Sequence, residues 1–140
     1  MRLLLDTNVV LDVLLNRSPW VTEASEIWQA NDDGRIIGYI TASAITDIFY
    51  IARRLTSLEI AHTAVLTCLE AFQICTVDRR VLEEAISLPG SKDFEDNIQL
   101  ACANIEGLEA IVTRDPDGFN MATLLVLTPT EAAAQIRNSK

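Results

Sequence analysis

The sequence predicts an α/β fold: a parallel sheet of about four to five strands with helices on both faces, a three-layer α/β/α sandwich. Three observations predict it. Short apolar segments of strand length alternate with longer segments of helical periodicity along the whole chain. The chain has 140 residues, the size of one domain over 1–140, and no internal repeat, low-complexity segment or linker interrupts it. Hydrophobic residues make up 49% of it, enough for a core on each side of a sheet. Strands that alternate with helices form parallel sheets with right-handed crossovers.

Taken in order, Arg2 to Leu5 reads as a short, fully buried strand. After Asp6-Thr7-Asn8, the apolar residues Val9, Val10, Val13 and Leu14 keep helical spacing until Asn16-Arg17-Ser18-Pro19 breaks the pattern. Ser18 then caps a new helix with Pro19 at its first position, and Trp20, Ala24, Ile27 and Trp28 form its buried stripe. Both tryptophans read as core rather than as base-stacking platforms. Asn31-Asp32-Asp33-Gly34 is a turn, and Ile36 to Ile40 a second buried strand. Ser43 opens a helix to about Leu55, and Ser57 opens another with Ile60, Ala64, Leu66 and Leu69 on its apolar side. His62 lies there as a surface or packing residue, not a catalyst. Gln73 to Val77 is a third strand. Asp78 caps a helix through Ile86, which Pro89-Gly90 ends, and Asp93 starts the next. Ala110 to Thr113 and Leu124 to Leu127 are the last strands, and Pro129 to Ile136 is a terminal helix.

Composition narrows the function classes. The start of the chain lacks the pattern of a signal peptide, because Asp6 cuts the apolar run Leu3-Leu4-Leu5 short. No stretch approaches the roughly 18 apolar residues of a membrane span. The expectation is a cytoplasmic protein with no membrane association. Cys68, Cys75 and Cys102 each sit in an apolar pattern without the close pairing of a zinc site, and read as buried free thiols. The net charge of −9 excludes a nucleic-acid binder held by bulk charge. Such a chain binds something cationic, holds metal ions that reverse a local field, or carries solvated surface acids.

The placement of the acids is more informative than their number. Open α/β sheets bind ligands at the carboxyl ends of their strands. Asp6 directly follows the first strand and Asp115 follows the strand that ends at Thr113. Asp47 is the only charged residue between Thr41 and Ala52, so it lies at an exposed seam or is partly buried with a cation or hydrogen bonds. Asp93 and Asp96 form an i, i+3 pair at a helix start, with Asp93 the cap and Asp96 the better ligand candidate. Glu95 reads as solvated. Each acid has a structural alternative as a cap or turn residue. Four segments nevertheless deliver carboxylates to one sheet edge. Such a cluster needs cations, because like charges raise one another's pKa. Oxygen ligands suit Mg2+ or Mn2+, and two such ions serve phosphodiester hydrolysis.

The segments Leu5-Asp6-Thr7-Asn8-Val9, the helical acid after the second strand, Asp93-Phe94-Glu95-Asp96-Asn97 and Val112-Thr113-Arg114-Asp115 resemble the PIN-domain nucleases, especially VapC-type toxins. The resemblance covers nearly the whole chain with its motifs in order. It implies a PIN-like fold, Mg2+ or Mn2+, and hydrolysis of RNA. Carried over, the acidic quartet is Asp6, Asp47, Asp96 and Asp115, with Asp93 a fifth metal-ligand candidate and Thr7, Asn8 and Thr113 supporting by hydrogen bonds. It further implies a homodimer, and an antitoxin partner whose C-terminal segment covers the acids. Two positions depart from the family pattern. The second acid is often Glu and here is Asp47; the residue before the last-loop Phe is often Asp and here is Gly118, which leaves Asp115 and Asp117 as alternatives. A non-catalytic PIN-like binding or scaffold protein, or a related nuclease acting on DNA, are the competing readings.

Arg53 and Arg54 are the only adjacent basic residues near one of these acids and are candidates for positioning the RNA backbone; Arg79-Arg80 reads as a solvated helix face. Arg54 lies seven residues beyond Asp47, about 10 Å along the same helical side. That distance suits a phosphate next to the scissile one. The alternative is a surface arginine paired with Glu59 or another acid.

Overall fold

The computed structural model describes residues 1–89, 93–119 and 122–139. The strands are β1 (Arg2–Leu5), β2 (Ile37–Thr41), β3 (Gln73–Cys75), β4 (Ala110–Val112) and β5 (Leu125–Leu127). They form one sheet in the order β3-β2-β1-β4-β5, every neighbouring pair parallel. The helices are α1 (Thr7–Leu14), α2 (Val21–Asp32), α3 (Ala42–Leu55), α4 (Leu58–Ala71), α5 (Arg79–Ser87), α6 (Phe94–Glu106) and α7 (Pro129–Asn138).

Alternate strand residues face opposite sides of the sheet, and this divides the core in two. Leu3, Leu5, Ile40, Ala110, Val112 and Leu127 pack with apolar faces of α1, α2, α3, α4 and α7. Leu4, Cys75 and Ile111 pack on the other side with α5 and α6. This is the predicted three-layer α/β/α arrangement. β1 lies at the centre because all three of Leu3, Leu4 and Leu5 are buried, as a strand covered on both faces requires. The chain runs outward from β1 through β2 to β3, then returns to place β4 on the other side of β1. Between β1 and β4 the strand order reverses, and a crevice opens there at the carboxyl ends of such strands.

Several local expectations are corrected. Ser18 does not cap α2: Val21 N donates to Arg17 O at 2.9 Å, closing a turn of chain first, and the helix begins at Val21 without a side-chain cap. The Ser18–Pro19 peptide is cis. Trp20 lies outside the core, 42% exposed, while Trp28 stays half-buried edge-to-face against Phe72. Thr41 rather than Ser43 caps α3, its hydroxyl accepting from Ala44 N at 3.1 Å. The expectation of a fully buried second strand fails at Ile37, which is exposed. On α4 the buried residues are Ala61, Ala64 and Cys68, whereas Ile60, Leu66 and Leu69 face solvent. Small residues at a buried helix face let the α3–α4 pair approach closely, and the larger apolar side chains turn outward. Strands two to five are each one or two residues shorter or shifted from their sequence bounds.

Other signals hold. Ser57, Asp78 and Asp93 each cap a helix, and Thr128 with Glu131 forms a capping box at α7. The turn predicted at Asn31-Asp32-Asp33-Gly34 starts later, since Asn31 and Asp32 close α2, and Gly34 takes a positive φ of 76°. Asn31 there bridges two elements, accepting from Gly38 N at 2.8 Å and donating to Ala71 O at 2.7 Å. The three cysteines are free and buried, and His62 is exposed beside the Phe49 ring. Gly90, read as a helix stop, lies outside the described residues. Among the described residues no helix is long and apolar enough to cross a membrane.

Candidate functional site

Asp6 sits where β1 ends, with β-region backbone angles, as the N-cap of α1. Its Oδ1 accepts from Thr7 N at 2.7 Å and from Gln99 Nε2 at 2.9 Å. Its Oδ2 accepts from Thr113 Oγ1 at 2.8 Å. Thr113, fully buried just beyond β4, also accepts from Asp115 N at 3.0 Å. One hydroxyl thus ties the acid after β1 to the loop carrying the acid after β4. The donors come from α1, α6 and the β4 edge, so the carboxylate is held from three sides.

A cleft of about 260 Å³ opens in front of it. Asp6, Asp47, Asp93, Asp96 and Asp115 all line it, so the acids nominated from the sequence converge, and Asp115 rather than Asp117 reaches the cleft. Gly118 explains the fit of that last loop. A Cβ at this position would lie 2.6 Å from Asp96 Oδ2, so a side chain here would require the Asp96 carboxylate to shift.

Glu95 departs from the sequence reading, which puts it in solvent and Asp93 closer to the cluster. Instead Glu95 is half-buried in the cleft wall and accepts from Ser43 Oγ at 3.1 Å, while Asp93 remains exposed at the rim with its side chain accepting from Glu95 N. Residues 95, 96 and 99 share the face of α6 turned to the cleft, and Ser43, itself linked to Thr41 at 2.9 Å, anchors Glu95 from the α3 side. Gln99 is a site residue that sequence reasoning misses. Its one signal is an amide inside the apolar run Ile98-Gln99-Leu100-Ala101, four residues after Glu95. The supporting roles also shift. Thr113 bonds Asp6 as expected; Thr7 does so through its backbone; Asn8 instead accepts from Arg17 Nη2 at 3.2 Å.

A second network flanks the cleft. Asp12, on α1 and fully buried, pairs with Arg17 Nε at 2.9 Å and with Arg114 Nε at 3.1 Å. The first is a directed hydrogen bond; the second is a charge contact without hydrogen-bond alignment. Asp12 is the lone charge in Val9-Val10-Leu11-Asp12-Val13-Leu14, the same signal that marks Asp47. Arg53 and Arg54 are exposed at the end of α3, outside the cleft lining, and among the described residues neither pairs with Asp47 or Glu59.

The charges in the cleft oppose one another. Burial, then Asp93, Asp6 and Asp115, push the Asp96 carboxyl up to about 7. Burial and then Asp47 push Glu95 up to about 7, against the hydrogen bond from Ser43. Asp47 is raised as well, by burial and then by Asp93. Among the described residues no three of these carboxylates close on a ready-made ion site as they stand. The oxygen-only donor set nonetheless suits Mg2+ or Mn2+. Beside Asp6, the buried Thr7 Oγ1 and Gln99 Oε1 take no hydrogen bond from the described residues, leaving polar atoms for a hydrated ion.

Raised carboxyl pKa values carry a sign for stability. The unfolded chain ionises these acids near 4, the folded metal-free protein near 7. The folded state therefore binds more protons in between, and its stability falls as pH rises from about 4 to about 7. Asp96→Asn should flatten that fall and raise the melting temperature at pH 8 in EDTA; an unchanged difference between pH 5 and pH 8 would contradict the charge assignment.

The chain matches the family model of the PIN domain over residues 2–117. No curated protein matches it by sequence. Among solved structures it is similar to VapC20 of Mycobacterium tuberculosis, a Sarcin-Ricin loop cleaving toxin, at TM-score 0.70 and 12% identity over 85% of this chain and 94% of that one. It is similar to DNA-bound VapBC from Salmonella typhimurium at TM-score 0.69 and 15% identity, over 92% of this chain and 98% of that one. A toxin-antitoxin complex from Klebsiella pneumoniae matches at TM-score 0.65 and 23% identity, over 90% and 96%. At these identities the solved structures establish a common fold, and the family match spans most of the chain: this protein belongs to the PIN domain family.

Proposed function

We propose that the chain is a metal-dependent endoribonuclease, one nuclease domain over 1–140 acting in the cytoplasm as the toxin of a toxin–antitoxin pair. The observation that carries this reading is the cleft at the β1/β4 reversal, where Asp6, Asp47, Asp96 and Asp115 meet with Asp93 and Glu95 at the rim and wall. Within the cleft, donors from Thr7, Gln99 and Thr113 hold Asp6, and Ser43 holds Glu95. Asp6, Asp96 and Asp115 are the proposed core of the metal-binding set, with Asp47, Glu95 and Asp93 around them. Mg2+ or Mn2+ in this cleft supplies positive charge to a phosphodiester and lowers the pKa of water. The protein's own part is to fix Asp6 through Gln99 and Thr113 and to bring the Gly118 backbone close to Asp96. Glu95, held by Ser43 Oγ, forms the cleft wall beside these acids.

VapC20, a Sarcin-Ricin loop cleaving toxin of the same fold, supports RNA as the substrate, and the toxin-antitoxin complexes support an antitoxin partner. Exposed apolar residues on α3 and α4, Tyr50, Leu55, Leu58, Leu66 and Leu69, support a homodimer.

With the purified protein, cleavage of single-stranded RNA should require Mg2+ or Mn2+ and stop in excess EDTA; undiminished cleavage with the chelator would refute the metal mechanism. Thr113→Val, which removes the donor to Asp6 Oδ2, should weaken metal affinity by roughly 10- to 100-fold, the usual cost of losing an outer-shell partner. Arg53→Ala and Arg54→Ala should weaken RNA binding and flatten its salt dependence while metal binding persists. If affinity and salt slope both stay at their original values, the pair is structural. Sedimentation equilibrium should give twice the 15.5 kDa of one chain; a single-chain mass at micromolar concentration would remove the homodimer.

A further inference from the structure

We infer that Trp20 and Arg114 form a stacking subsite for one base of a single-stranded RNA bound across the acidic cleft, an assignment that rests on the ribonuclease reading above. Trp20 is a large aromatic residue held outside the core, 42% exposed at the start of α2. The Arg114 guanidinium lies over its ring, 3.9 Å from the centroid. Together they line a groove of about 260 Å³ with Pro19, Glu23, Thr128 and Thr130. That volume sits near the lower end of small-ligand pockets, roughly 300–1,000 Å³, and suits one ring system better than a protein element.

Three features favour a nucleotide. The first is continuity with the acidic cleft. Arg114 directly precedes Asp115, which lines that cleft, and Arg17 donates to Asn8, which lines it too. The second is charge. Arg17 and Arg114 share one buried carboxylate, Asp12, so this cluster keeps one net positive charge in a chain of net charge −9. That charge adjoins the acidic cleft, since Arg17 donates to Asn8 and Arg114 precedes Asp115. The third is chemistry. Arg114 covers one face of the Trp20 ring, so a base takes the remaining exposed surface of the indole; aromatic rings accept every base on their π-face, and the guanidinium adds a cation–π contribution. Glu23 and the threonine hydroxyls offer hydrogen bonds to a base edge, while Glu23 disfavours a phosphate in the groove itself.

The test uses intact protein with Ca2+ as the divalent ion and a ten-nucleotide oligoadenylate carrying a 5′ fluorescein as the probe, read by fluorescence anisotropy. The wild type should bind the probe. Trp20→Leu should raise Kd roughly 5- to 100-fold, the usual range for one lost base stack. Trp20→Tyr should retain most of the affinity, because the ring is kept. With Mg2+, Trp20→Leu should raise KM for RNA and leave kcat unchanged. Circular dichroism checks that both variants fold, as expected for an exposed position. Wild-type affinity in Trp20→Leu overturns the subsite. It is equally overturned if Trp20→Leu weakens association with a partner protein and not with the oligonucleotide, which would make the groove a protein-docking surface. Failure of the ribonuclease reading is separately visible, as RNA left intact by the wild type in Mg2+ and Mn2+.

Discussion

The hydrogen bonds to Asp6 hold the working end of this molecule together. The carboxylate stands at the end of the central strand, and each of its oxygens is engaged by a neutral donor from a different part of the chain. Thr113 reaches it from the β4 edge and Gln99 from α6, 93 residues further along the sequence. These donors stabilise the charged carboxylate in a half-buried position where a bare one would be costly. They also dictate where the other acids stand, since α6 carries Glu95 and Asp96 on the same face as Gln99. The site is therefore a property of strand order, because only the reversal between β1 and β4 brings these two strand ends together.

Around that anchor the cleft is electrostatically unbalanced. Neighbouring carboxylates and burial both act to keep protons on Asp96 and Glu95. A fold that tolerates such repulsion is suited to a ligand that removes it, and divalent cations with oxygen preference are the direct candidates. The chain's overall acidity fits the same logic. It cannot draw a polyanion by bulk charge, so the nuclease function proposed above requires local attraction, from a metal ion in the cleft and from the arginines around Asp12.

The Asp12 cluster also links site and scaffold. Its carboxylate is wholly buried on α1 and reaches both the turn before α2 and the loop after β4. A buried charge with two cationic partners loses much if one is removed, because the remaining charge is left uncompensated. It therefore fixes geometry more than it adds net stability, which suits a contact between α1, which carries Asn8, and the loop that carries Asp115.

The fold class is legible in the sequence because its signals are local. Strand length, helical spacing and caps such as Ser57, Asp78 and Asp93 depend on residues a few positions apart. So is the placement of Asp6 and Asp115, since an acid that ends a parallel strand lies at the carboxyl edge whatever the rest of the chain does. What needs tertiary structure is direction and depth. Whether Glu95 faces water or the cleft depends on Ser43, 52 residues earlier, and whether Gln99 matters depends on Asp6. The apolar residues of α4 read as core by composition, yet small side chains win the buried face because α3 packs so close. Hydrophobicity alone likewise puts Trp20 in the core. Its actual place on the surface follows from the turn at Arg17 and the guanidinium of Arg114, contacts between segments that no local pattern encodes.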